Sequence, residues 1–229
     1  MQERSFADIA VVSCGTLSLE LSYLRQEGFL DADAVLYTTP GLHEDPKELE
    51  RQLTQKIEQA KATSDKVLVI YGGKFCYINM QDPTRTLDEV IQEKGPGISR
   101  IEATHCMDMI ASRQEREAIA QEMAGGDKVW WMVPGWVKFR HQVFKGWDKG
   151  LATENFPKHT GGAIVLDAIG FMERFMAEKP EELLEYSDWM GIPIQPYQLT
   201  LDRFKRLLLD RAHALRSESM EDIPPRRKL

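Results

Sequence analysis

The stretch Lys66-Val67-Leu68-Val69-Ile70-Tyr71-Gly72-Gly73-Lys74-Phe75-Cys76 opens almost wholly apolar before two glycines break it. A short, continuous apolar run fits a central parallel strand covered on both faces, because an exposed antiparallel strand alternates apolar and polar residues. Residues 66–71 are therefore read as such a strand, with Gly72-Gly73-Lys74 as a tight turn at its carboxyl end. That turn resembles a phosphate cradle but lacks the Walker spacing.

The same pattern repeats outward. Residues 9–13 form a strand entering Cys14-Gly15-Thr16, then a helix over 17–27 carries Leu17, Leu21 and Leu24 at helical spacing and stops at Gly28. Residues 34–37 make a second strand, and Asp45-Pro46 opens an amphipathic helix with Leu49, Leu53, Ile57 and Ala60 on one side. Downstream, a helix over 86–94 ends at Gly95-Pro96-Gly97, and a strand over 98–103 delivers Thr104-His105-Cys106. Helical residues 107–123 follow, bent or broken near Ser112-Arg113. Strands over 128–133 and 163–166 flank an irregular stretch in which Phe139, Val143 and Trp147 share a helical face. Helices over 171–177, 180–190 and 201–215 and an extended stretch over 191–197 complete the chain.

Alternating strands and helices with short turns define an α/β fold, a three-layer sandwich around a mainly parallel, Rossmann/flavodoxin-like sheet. Strand order 2-1-3-4-5 puts strands one, three and four side by side. A single domain over residues 1–216 with a C-terminal tail over 217–229 suits the 229-residue length.

A net charge of −7 supplies no broad basic field, so nucleic acid is not expected as a partner. No apolar run approaches the roughly 20 residues that span a bilayer, and the first residues lack the pattern of a secretion signal, so no membrane is involved and a cytoplasmic protein is expected.

The three cysteines carry the candidate chemistry. Cys14, Cys76 and Cys106 each sit just past the carboxyl end of a strand, and in an open parallel sheet those ends share the edge where ligands bind. With His105 they are expected to converge as a Cys3His metal site, a normal shell for zinc, assembled by the fold because no Cys-x-x-Cys pair grips the ion locally. An iron-sulfur cluster or nickel is the alternative. Adjacent His105 and Cys106 need not both reach one ion, in which case His105 supports the ligands. Gly15, Thr16, Gly72 and Gly73 are the backbone positions expected to approach a cofactor. Asp108 and Glu102 flank the His-Cys turn, His159 and His141 are placed to cover a pocket, His43 is read as a surface residue and His213 as packed. Trp130, Trp131 and Trp136 are read as core and rim aromatics. The competing reading is that the thiols simply pack, and no catalytic residue is assigned.

Taken together, Ser13-Cys14-Gly15-Thr16-Leu17, the Tyr71-Gly72 turn with its cysteine, His105-Cys106 and Val133-Pro134-Gly135-Trp136 resemble the domain of unknown function family 1638 over about residues 8 to 215. The resemblance implies, by association, a role near corrinoid-dependent methyltransferase components, with a small molecule or a corrinoid protein as partner. Zinc bound by Cys and His prepares a substrate thiolate to accept a methyl group. A non-catalytic metallochaperone or accessory protein, and a metal-free small-molecule-binding protein, are the rival classes.

Overall fold

Strand β1 (Ile9–Cys14) lies at the centre of the first sheet in the computed structural model, which describes residues 5–221 except residue 75 and the side chains of 218–221. Parallel pairing joins β1 to β2 (Ala34–Thr38) on one side and to β3 (Lys66–Ile70) on the other. The three-residue edge strand β4 (Ile98–Arg100) pairs with β3, giving the order β2-β1-β3-β4. Between these strands run α1 (Ser18–Gln26), α2 (Pro46–Lys61) and α3 (Leu87–Gln92). Asp45 caps α2 by accepting from the Glu48 N–H, and a reciprocal Thr86–Glu89 box starts α3.

After β4 the chain forms α4 (Cys106–Ile110) and α5 (Arg113–Ala124), with the expected break at Ser112, which caps α5. The next strand, β5 (Trp130–Met132), does not extend the first sheet as the order 2-1-3-4-5 required. It pairs in parallel with β6 (Ala163–Asp167), which pairs with β7 (Ile194–Gln198) in a second sheet. Arg100 Nη1 donates to the carbonyls of Tyr71, Ile101 and Ala103 as β3 and β4 run out, so the backbone there has its partners. Residues 194–198 carry Pro196 and half-buried side chains, the features of an edge strand, and read from sequence only as an extended stretch.

Between β5 and β6 lie the short helices α6 (Pro134–Lys138), α7 (Arg140–Val143) and α8 (Lys149–Asn155); α9 (Phe171–Glu178), α10 (Pro180–Met190) and α11 (Asp202–Glu221) follow β6. Helix α11 runs on to Glu221, past the point where the tail was expected to begin, and the rest of that tail lies outside the described residues.

Side-chain alternation along the strands sorts the core into three parts. Ala10, Val12, Val67 and Val69 face α2 and α3, meeting Leu49, Leu53, Ile57 and Val90. On the opposite face Ile9, Val11, Leu68 and Ile70 meet α1, α4 and α11, and this cluster continues without interruption to Ile164 and Leu166 of the second sheet. Ala163 and Val165 point the other way, into an aromatic cluster with Phe144, Phe156 and Tyr186. The protein is thus an α/β layered fold with two parallel sheets sharing one central core. Among the described residues no helix is long and apolar enough to cross a membrane.

Candidate functional site

Parallel strands that end together put their following loops together, and here the loops after β1, β3 and β4 meet. Cys14, Cys76 and Cys106 all line one cavity of about 280 Å³, with His105, Gly72 and Thr16 beside them. The rest of the lining comes largely from around the second sheet, Val129, Trp130, Trp131, Trp136 and His159, with Leu42 and His43 from the loop after β2. All three cysteines are free thiols.

Each sulfur is held by its loop. Cys14 ends β1, and its Sγ lies 3.1 Å from Thr16 Oγ1. The Tyr71 hydroxyl, fully buried behind it and hydrogen-bonded to Thr38, also reaches the Cys14 thiol. The Cys76 thiol accepts from the backbone N–H groups of Cys106 and Gly72. Cys106, in the first turn of α4, contacts Met107 Sδ at 3.2 Å and lies beside the Trp136 indole N–H. Burial pushes all three thiols up. Cys14 rises despite its Thr16 and Tyr71 donors; Cys76 reaches about 12 because the Cys14 charge adds to burial; Cys106 is raised well above the ordinary range by burial, then by Cys76 and Cys14. The sulfurs therefore share one electrostatic environment, and in the free protein they are thiols. Among the described residues no group of three or more His, Cys, Asp or Glu stands pre-arranged around one point for a metal ion.

His105 lines the same cavity, and its ring nitrogens meet Asp108 and Arg116. Its Nδ1 accepts the Asp108 N–H at 3.2 Å and so caps α4. Its Nε2 stands 3.5 Å from Arg116 Nη2 and 3.7 Å from Asp108 Oδ1, while Arg116 and Asp108 pair at 2.6 Å. Burial lowers its pKa against the pull of Asp108, which leaves the ring neutral at pH 7. Asp108 thus does adjoin His105, whereas Glu102 is exposed.

The glycines have packing roles. A Cβ on Gly15 would stand 2.5 Å from the Thr38 carbonyl oxygen, and one on Gly72 would stand 2.4 Å from His105 Cα and 2.6 Å from Cys76 Sγ. Gly73 donates to the Ala103 carbonyl and accepts from Cys76 and Tyr77, which makes the stretch a plain turn. His159 lines the cavity, edge-on to Trp130 at 5.0 Å. His43, read as a surface residue, is instead stacked on Trp136 at 5.5 Å and lines the cavity. His141 opens onto a separate cavity, and His213 is exposed on α11 rather than packed.

Sequence reasoning passed over Glu20. It is 1% exposed, its two carboxyl oxygens have no hydrogen-bond partner, and burial with the Asp167 charge raises its pKa to about 8. The signal was present: Glu20 shares the apolar stripe of α1 with Leu17, Leu21 and Leu24. Its neighbour Asp167, at the end of β6, is satisfied by the N–H groups of Ile169, Phe171 and Met172.

The architecture defines a parallel α/β protein with a thiol-lined cavity at the edge of its first sheet. The family model described as "Protein of unknown function (DUF1638)" matches residues 37–208, and the chain belongs to that family. No curated protein and no solved structure matches it.

Proposed function

We propose that Cys14, Cys76 and Cys106 bind a thiophilic metal ion, zinc in the first instance, and that this cytoplasmic protein acts in or beside corrinoid-linked methyl transfer. The observation that carries the reading is the convergence of three free thiols, from three separate strand-end loops, on one cavity. The donor chemistry fits. Thiolates are the ligands of soft and borderline ions, and a bound cation offsets the burial and mutual repulsion that keep these groups protonated. Three protein ligands leave a fourth position for substrate. Zinc held there supplies Lewis acidity that lowers the pKa of a bound thiol while leaving it nucleophilic. His105 acts as a positioning residue, fixing the start of α4 and hence Cys106. A corrin macrocycle is far larger than a cavity of about 280 Å³, so a corrinoid would be presented by a partner protein.

Metal analysis of anaerobically purified protein tests this. Stoichiometric zinc, lost in Cys106→Ser, is expected; absence of metal, or metal unchanged in the variant, contradicts it. Absorbance distinguishes an iron-sulfur cluster or nickel from zinc. Methyl-acceptor turnover with a corrinoid protein separates an enzyme from a metallochaperone, which exchanges metal without turnover.

A second reading is a metal-free small-molecule-binding protein with packed thiols. The apolar, aromatic lining and the lack of a pre-arranged ligand group favour it. In that case alanine at any single cysteine leaves ligand affinity unchanged.

A further inference from the structure

The cavity beside the thiols has a chemical selectivity of its own. Among the described residues that line it there is no Lys, Arg, Asp or Glu. Trp130, Trp131 and Trp136, with Leu42 and Val129, line it along with the sulfurs. Behind His105, Asp108 and Arg116 are only 14% and 10% exposed and neutralise each other at 2.6 Å, while Arg100 near Cys76 is held by Asp88 and the buried Glu20 near Cys106 is kept protonated by burial. A charged ligand entering this space meets no protein counter-ion on its lining, and desolvating an unpaired charge is far costlier than desolvating a neutral group.

From this geometry we infer that the cavity takes a small, uncharged thiol and rejects thiols of the same size that carry a carboxylate or an ammonium group. His43 and His159 do not alter this, because burial lowers the pKa of both. The preference for sulfur rests on the metal reading above; the exclusion of charge does not. A volume of about 280 Å³ limits the guest to a compact molecule, packed against indole faces.

Three probes of similar size decide it: propane-1-thiol, 3-mercaptopropionate and 2-aminoethanethiol, titrated anaerobically at pH 7 into zinc-loaded and zinc-free protein. Tryptophan fluorescence reads entry in both forms, because three indoles line the cavity. The neutral thiol is expected to bind at least about tenfold more tightly than either charged one. Leu42→Phe, which fills the space, should remove the response. Charged thiols binding within about threefold of the neutral one, or no response to propane-1-thiol in either form, overturns the inference. Zinc content is measured separately. Failure of the metal reading would thus appear as zinc-free protein that still ranks the three probes in the expected order.

Discussion

Gly135 lies so close to Thr16 that a Cβ built on it would stand 1.9 Å from the Thr16 carbonyl oxygen and 2.7 Å from its carbonyl carbon. This contact presses α6 of the second sheet onto the turn that follows Cys14. Here α6, which carries Trp136, meets the turn that follows Cys14.

Gly135→Ala therefore has to push backbone against backbone, which no side-chain rotation relieves. A loss of about 1–3 kcal/mol or more is expected in urea unfolding. Gly125→Ala is the matched control: Gly125 also lies outside strand interiors, with φ +60° and nothing within 4 Å of its Cβ position, so only the left-handed conformation is penalised, at about 1–2 kcal/mol. The variant at position 135 should additionally weaken metal binding, and that at 125 should not. Equal metal affinity in the two variants would count against the contact as an organiser of the site.

Glu20 predicts an unusual pH dependence. Its pKa, about 8 in the fold against an ordinary value of 4.5, means that between those limits the native state holds a proton that the unfolded chain has released. Its contribution thus favours folding below about pH 4.5 and is lost progressively as pH rises toward about 8. At roughly 1.4 kcal/mol per unit this amounts to a few kcal/mol. The half-buried histidines His43, His105 and His159 act in the opposite direction, and only as pH falls below about 6.5, because their pKa values are lowered. Glu20→Gln keeps those terms and removes the first. Unfolding free energy measured from pH 5 to 9 should fall with pH in the wild type relative to Glu20→Gln; parallel curves would show that Glu20 does not titrate in this range.

The buried Trp136 indole N–H has no hydrogen-bond partner among the described residues and lies beside Cys106, where a donor favours the thiolate. Trp136→Phe keeps an aromatic ring and deletes the donor. With Cys14 and Cys76 both replaced by serine, the alkylation of Cys106 should then reach half its limiting rate at a higher pH than in the same background with Trp136. A midpoint that stays put would mean that the indole only packs.

His105 is predicted to matter for α4 and not as a metal ligand. His105→Ala removes the Nδ1 acceptor for Asp108 N–H and should cost about 1 kcal/mol of stability, while His105→Asn restores a capping acceptor. Zinc content should be full in His105→Asn. Metal lost from that variant while the fold is intact would move His105 into the ligand set.

Much of this was legible in the sequence. The apolar run over residues 66–71 announced a central parallel strand, and Cys14, Cys76 and Cys106 could be set on one edge because each follows a strand end. The helix starts read at Asp45-Pro46 and residue 86, and the break near Ser112, coincide with caps at Asp45, Thr86 and Ser112. Sheet membership was not legible. Residues 130–132 read as a strand whatever partner they take, and pairing with β6 rather than β4 comes with contacts far apart in the chain, such as Gly135 on Thr16. His43 was misread for the same reason, because its stacking partner Trp136 lies on another sheet's helix. Glu20 was legible in principle as a carboxyl in an apolar stripe, and it took burial on both sides to make it stand out.

The ligand set itself is open to one direct measurement, zinc-edge X-ray absorption on zinc-loaded protein. Three sulfur scatterers at about 2.3 Å are predicted, falling to two in each of the single variants Cys14→Ser, Cys76→Ser and Cys106→Ser. A shell of nitrogen and oxygen alone, or a sulfur count that no cysteine substitution changes, would contradict the three-thiol site.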